Sequence, residues 1–345
     1  MLRRFILTLL VLFLFLSILV CSQSIAQTSA EKTFSLKLAG IKNDDDPASK
    51  AMMLFVEKVN KDSNGTITIK PYTNSTLGNL NDLLTGMING TVEMLYNTIS
   101  CYAWLSGTGA KEFGITSAPF FWKDNKELQA FIDSPYVQKW IEDGANSTGV
   151  RVLIANGELI PRQLTANKAI RNADDFEGLK IRTAESTLVM TIMKKLGATP
   201  IVVPFADLYM ALKTGVVDAQ ENNFFTVKSS SLYEVQSHFM KTDYIRDVSA
   251  IFISNNVWNQ MSDEQKKIMK NAAKEATDFE AKMIADSLDE VLAFLSSKMT
   301  KVDIDIESIR GKLGSGIYEE FDKEGKSWPT GTLDDVLKFK EGYTE

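Results

Sequence analysis

The chain has 345 residues, 38 lysines and arginines against 44 aspartates and glutamates, and a formal net charge of −6. That acidic balance speaks against nucleic acid as a partner, because phosphate contacts need clustered lysine and arginine. One histidine and two cysteines exclude a histidine-cluster metal site and leave His238 as the single candidate for a Ser/His or Cys/His pair.

Met1-Leu2-Arg3-Arg4 precedes an apolar run from Phe5 to Val20, broken only by Thr8 and Ser17, and then Ser24-Ile25-Ala26. A basic start, an apolar core and a small-x-small ending form a secretory signal, with cleavage expected after Ala26. The run is long for a signal and short for a spanning helix, so an uncleaved anchor is the second reading. A lipoprotein anchor at Cys21 is set aside, because Val20 stands where a small residue is needed. Loss of the leader removes two arginines and no acid, giving −6 − 2 = −8. Cys101 then stands alone, without an intramolecular disulfide partner, and reads as a small buried hydrophobe.

About 319 residues remain, enough for two cores. Alternation of Phe34, Leu36 and Leu38 predicts a strand. Met52, Phe55, Val56 and Val59 predict a helix ended by Asn64-Gly65, and Thr66 to Lys70 a second strand. Leu80, Leu83, Leu84, Met87 and Ile88 give a helix ending at Gly90, and Thr91 to Tyr96 a third strand. The loop beyond it, Asn97-Thr98, either faces a cleft or is an ordinary connection. Phe120-Phe121-Trp122 offers rings to a sugar face or to the core, and core packing is preferred. Asp124 with Glu127 reads as a capping box. Val137, Trp140, Ile141 and Gly144 mark another helix, and Val150 to Ala155 a strand leading to a second unit.

That unit repeats the order strand-helix-strand-helix-strand between Gly178 and Asn223. Its helices are marked by Val189, Ile192, Met193 and Leu196, and by Phe205, Leu208, Tyr209 and Leu212. Ala198 to Val203 is β-branched and short, as in a buried parallel strand. The two units end alike, Asn89-Gly90-Thr91-Val92-Glu93-Met94 beside Thr214-Gly215-Val216-Val217-Asp218-Ala219. In open α/β sheets, ligands bind beyond the carboxyl ends of the strands. Arg182 stands at one such end and Gln220 to Asn223 at another. A guanidinium fork beside amides suits a carboxylate bearing hydroxyls. Alternatively, Arg182 pairs with Asp174, Asp175 or Glu221 and only ties a surface together.

Beyond Asn223, His238 is expected at a helix end near Tyr233 and Phe239, and Tyr244 to Ser254 as a returning strand. Ser262 and Gln265 open a helix to about Leu295, with Ile284, Leu288, Val291 and Leu295 on one face. At 1.5 Å per residue it spans about 50 Å, unless it is two helices with an unmarked break. The tail from Leu313, with Trp328-Pro329, Val336, Leu337 and Phe339, is expected on the outside.

The motifs Arg162-Gln163-Leu164-Thr165, Asp175 to Arg182, Leu196-Gly197-Ala198, Pro204-Phe205 and Gly215 to Asn223 resemble the DctP-like solute-binding subunit of TRAP (tripartite ATP-independent periplasmic) transporters. The resemblance covers nearly all of the chain after the leader and is weakest in the last forty residues. It implies an α/β, two-lobed periplasmic-binding-protein fold of type II-like form. Each lobe would be a sheet flanked by helices, with one long helix across both. Lobe I would take 31–156 and about 250–300, and lobe II 157–249 and 301–345. It implies that Arg182 clamps a carboxylate and that Arg162 and Asn222 complete the site. Phe205, Asn97 and Glu221 are the further candidate ligand-binding residues. Ala219, Asn223, Pro161 and Asp46-Pro47 depart from the usual pattern.

The expected function is periplasmic capture of a small organic acid, best a sugar acid such as a hexuronate or aldonate, and delivery to membrane permease subunits. A monomer is expected, without cofactor, metal or enzymatic activity. A C4-dicarboxylate binder or a sensory module is the alternative. An exported glycosidase would need two carboxylates flanking a bond. Asp218, Glu221 and Glu93 are the only suggestion of them.

Overall fold

The computed structural model describes residues 31–157 and 159–343. The leader and its expected cleavage site lie outside them. The first unit runs β1 (Phe34–Ala39), α1 (Pro47–Asp62), β2 (Ile67–Tyr72), α2 (Leu80–Asn89) and β3 (Met94–Thr98). Asp46 caps α1 by accepting from the Ala48 amide, with Pro47 at the first turn. Asn79 and Asp82 form a reciprocal capping box on α2, which ends at Gly90 with φ 73°. Next come α3 (Asn125–Ile132), α4 (Pro135–Thr148) and β4 (Val150–Ala155). The second unit contains β5 (Gln163–Ala166), β6 (Lys180–Thr183), α5 (Thr187–Lys195), β7 (Thr199–Val202), α6 (Leu208–Lys213), β8 (Ala219–Asn222) and α7 (Phe224–Ser229). It closes with β9 (His238–Met240), and the chain returns through β10 (Ser249–Ser254) and the short α8 (Asn255–Asn259).

Two sheets result, ordered β2-β1-β3-β10-β4 and β11-β9-β5-β8-β6-β7, where β11 is Thr300–Val302. They repeat one plan. β1 is parallel to β2 and β3, just as β6 is parallel to β7 and β8. β10 lies antiparallel between β3 and β4, and β5 antiparallel between β8 and β9. The antiparallel strand of each sheet follows in sequence directly on a strand of the other, β5 on β4 and β10 on β9.

Helix α9 (Asp263–Lys298) is one unbroken element opened by the Ser262–Gln265 box. At 1.5 Å per residue it is about 54 Å long. Its first half places Met269, Ala272, Ala273 and Ala276 in a core with Phe55 and Val59 of α1. Its second half places Ile284, Val291 and Leu295 in a separate core with Phe224 and Phe239. One helix therefore serves both lobes, and its alanines let α1 approach closely.

Several local expectations are corrected. β7 is parallel to β6 but lies at the sheet edge with Val202 exposed, so its β-branched character does not reflect burial on both faces. Phe205–Asp207 is a 3-10 turn before α6, not the start of one regular helix. The ladder in 244–254 begins only at Ser249. His238 opens β9 and is not at a helix end. Asp124 accepts from the Glu127 amide, but the Glu127 carboxylate returns to the Lys123 amide, so the box is displaced by one residue.

The tail divides instead of joining the second lobe as a whole. α10 (Ile306–Leu313) packs on α5 and on 173–176, whereas α11 (Ile317–Glu324) packs on α12 (Thr332–Gly342), which in turn packs on the 3-10 segment Lys111–Ser117. Tyr318 donates to the Pro119 carbonyl at 2.7 Å, and Lys340 to the Phe121 carbonyl at 3.0 Å. Apolar tail residues reach for the nearest uncovered core, here the Phe131 aromatic group. Gly114 sits under this tail. A β-carbon there would lie 2.0 Å from the Ser327 carbonyl oxygen. Gly114→Ala is expected to cost about 1–3 kcal/mol by overpacking. A lower melting temperature with faster proteolytic loss of the tail checks this, and an unchanged digestion rate would contradict it.

Candidate functional site

A cavity of about 400 Å³ opens where the carboxyl ends of the parallel strands of both sheets converge, and Arg182, Arg162, Asn222, Phe205, Asn97 and Glu221 all line it. β6 carries Arg182 into a position only 3 % exposed. Its Nε donates to the Val203 carbonyl at 2.9 Å. Among the described residues, its two terminal nitrogens have no hydrogen-bonded acceptor. Burial lowers its pKa to about 10, with Glu221 partly opposing and Arg162 adding to the effect. The surface-tie alternative is not realised. Asp174 pairs with Lys312, Asp175 accepts from the Arg171 amide, and Glu221 is engaged elsewhere.

Glu221 faces Arg162. The Arg162 Nε bonds Glu221 Oε2, and one Nη donates to Glu221 Oε1 and to the Glu221 carbonyl, each at 2.8 Å. Tyr244 OH donates to the same Oε2 at 2.7 Å. Burial alone would lower the Arg162 pKa, but Glu221 outweighs it and holds the guanidinium charged. Glu221 thus lines the cavity with its carboxylate committed to Arg162 and Tyr244.

Asn222 belongs to a buried row of amides. Its Nδ2 donates to Gln220 Oε1 at 2.7 Å, Gln220 Nε2 to Thr165 Oγ1 at 2.8 Å, and Thr165 to Gln236 Oε1 at 2.9 Å. Such a row fixes which atom of each amide points where. Asn97 is its counterpart, because β3 and β8 hold the same place in their sheets and begin at matching positions, Met94 and Ala219. Asn97 Oδ1 accepts from the Thr98 amide, while its Nδ2 is buried without a partner among the described residues.

Lys42, in the turn after β1, is missed by motif reading. Its Nζ lies 4.2 Å from the Phe205 ring centroid and donates to Thr226 Oγ1 at 3.0 Å. Burial lowers its pKa to about 8, against the pull of Asp46 and with the push of Arg162 and Arg182. The strand-end rule that picked Arg182 applies equally to β1 and would have found it. Glu280 of α9 is also missed, although Thr277, Glu280 and Ile284 stand at helical spacing on the buried face. Phe120, Phe121 and Trp122 do not line the cavity, and they pack with Tyr244, Tyr318 and Phe131. Neither Asp218 nor Glu93 lines the cavity, so the carboxylates suggested for a glycosidase are not brought together there with Glu221.

The two lobes touch beside the cavity. Asp46 Oδ2 accepts from Thr226 Oγ1 at 3.2 Å and from Ser229 Oγ at 3.1 Å, and Asn43 Nδ2 donates to the Ser229 carbonyl at 2.7 Å. A polar cavity between two α/β lobes, with a buried unpaired guanidinium, is a solute-binding geometry. The model of bacterial extracellular solute-binding protein family 7, DctP, matches residues 38–323.

The chain belongs to this family.

It is a TRAP-type solute-binding protein with the two-lobed fold expected from its motifs. Among DctP-family relatives, a solute-binding protein of Roseobacter denitrificans is 26 % identical over 84 % of this chain and 88 % of its own length. The 2,3-diketo-L-gulonate-binding periplasmic protein of Escherichia coli is 26 % identical over 86 % of this chain and 90 % of its own. The crystal structure of a TRAP periplasmic protein from Haemophilus influenzae with bound L-gulonate superposes with TM-score 0.79. It is 25 % identical and covers 90 % of this chain and 99 % of its own.

Proposed function

We propose that this DctP-family chain captures a sugar acid outside the cytoplasm and delivers it to TRAP permease subunits in the membrane. Arg182 carries the reading: a buried cation with two unpaired nitrogens at a polar cavity calls for a planar anion. Arg182 holds the carboxylate in a bidentate pair, and Lys42 adds a second positive charge. Arg162, positioned by Glu221, and Asn222 and Asn97 bind further oxygens. Phe205 forms the wall. The lobe bounds are 31–156 with about 250–300, and 157–249 with the rest, apart from the tail segments that pack back on the first lobe. Contacts from both lobes favour the closed form, which is the basis of hinge capture. The periplasmic relatives support a periplasmic location, and in this reading the leader is removed after Ala26 and the protein acts as a monomer.

A melting-temperature screen against hexonates, hexuronates, C4-dicarboxylates and neutral sugars tests this. A ligand at about 100 times its Kd adds about 2.7 kcal/mol to the folded form, a shift of several degrees. The expected result is a rise with a sugar acid and none with its neutral sugar. Equal rises with both would refute the carboxylate reading.

A further inference from the structure

The cavity is electrically divided. Arg162 and Arg182 come from the second lobe, just before β5 and on β6, and Lys42 lies close enough to both to feel their charge. The opposite wall is acidic. Glu280 of α9 is 2 % exposed and lines the cavity, and its Oε2 accepts from Tyr96 OH of β3 at 2.7 Å. Asp247 also lines the cavity, engaged by Ser100 Oγ and by the Val248 amide, but on the side where the charge of Arg162 reaches it. Neither carboxyl forms a salt bridge to a cation among the described residues. The other lysines along the cavity, Lys111 and Lys326, are solvent-exposed. The wall therefore presents oxygen acceptors, and among the described residues the one buried cation whose charge reaches Glu280 is Lys42 of the turn after β1, which makes no salt bridge to it. Ligand hydroxyls can donate to such acceptors. A carboxylate there meets like charge that no salt bridge neutralises in a poorly solvated space, and specificity is commonly built from that kind of repulsion.

We infer that Glu280 is a specificity-determining residue: it accepts a hydroxyl from the far end of the ligand and rejects a second carboxylate, so the solute is a polyhydroxylated monoacid and not a diacid. This rests on the reading in which Arg182 holds the first carboxylate. The Glu280 carboxyl titrates near 7, raised chiefly by burial and lowered by Ser249 and Tyr96. The groups facing it are Tyr96 of β3, Ser249 of β10, and Lys42 and Asp46 of the turn after β1. At lower pH it becomes a neutral acid, and the rejection relaxes.

Pairs of acids that differ only at the far carbon decide it. L-galactonate with galactarate, and L-gulonate with D-glucarate, exchange a hydroxymethyl group for a carboxylate. Titration calorimetry on the purified protein at about pH 8 is expected to show one hexonate binding at least about 100-fold more tightly than its hexarate. Glu280→Gln should narrow that ratio at least about tenfold by strengthening the hexarate. In the wild type, going from about pH 8 to about pH 5.5 should narrow it at least about fivefold, and Lys42→Met, which removes the other group titrating in that range, should keep the narrowing; this serves if Glu280→Gln does not fold. Arg182→Ala, run in parallel, should lose the hexonate. A wild-type hexarate bound within about tenfold of its hexonate, or a ratio indifferent to both Glu280→Gln and pH, overturns the inference and leaves the sugar-acid reading standing. If Arg182→Ala keeps full hexonate affinity, or no hexonate binds, the carboxylate clamp fails and the inference with it.

Discussion

Arg182→Ala is expected to abolish useful affinity for the organic acid while the unliganded protein keeps its melting temperature. Truncating one member of a buried charge pair costs about 2–5 kcal/mol of binding, or between about 30-fold and several thousand-fold in Kd. The unliganded protein loses little, because among the described residues this guanidinium makes only the Val203 bond and stays desolvated without a salt bridge, with the Glu221 charge offsetting that burial only in part. Functional sites commonly hold such unfavourable groups ready for a ligand. Arg182→Lys should recover part of the affinity and not all, since an ammonium keeps the charge without the planar fork. Calorimetry with the acid found by the melting screen measures both. An affinity loss below about fivefold for the alanine variant would place the carboxylate on Lys42 instead.

Glu221→Gln should have the opposite profile, a large loss of stability. It leaves Arg162 desolvated without its salt-bridge partner, with Arg182 and Lys42 close enough to repel it and Asp247 as the remaining acidic neighbour. Breaking a buried pair by removing one partner costs about 3–5 kcal/mol. Tyr244, whose hydroxyl rests on the same carboxylate, loses its charged acceptor as well. The midpoint of urea unfolding checks the size of the loss. A double replacement, Arg162→Met with Glu221→Leu, should be less destabilising than Glu221→Gln, because no orphan charge remains. If the double variant were the weaker of the two, packing around Arg162 and not its charge would be the main contribution.

The two α/β units were legible because each helix hides one face, and a hidden face repeats every three or four residues. The break-free α9 was legible from Ser262 with Gln265 and from the lack of any Gly or Pro up to Ser297. Arg182 and Asn222 stood out because strand order alone puts them at strand ends. Periodicity does not say what a buried face packs against. Val202 therefore looked interior while lying on a sheet edge, and the tail residues Val336 and Phe339 gave no sign of their partners at 113–131. Lys42 follows a strand end and was open to the same rule as Arg182, whereas Glu280 resembles an ordinary helix residue until the two lobes are brought together. Glu221 shows a further limit. Its place in the motif marks it as important without telling a ligand contact from the counter-ion of another residue.

The exchange of strands between the sheets has a consequence for how the molecule forms. Sheet one lacks the strand between β3 and β4 until residues 249–254 are in place, and sheet two must draw β11 from residues 300–302. Neither lobe can be completed by a contiguous piece of chain. Pairings this far apart in sequence slow folding, because loop closure precedes any gain from the contact. A fragment ending near residue 245 would present two unpaired ladders, from β3 and β4, to its neighbours, a ready template for aggregation. The two lobes are thus a mechanical pair in the finished protein but a single cooperative unit in its assembly.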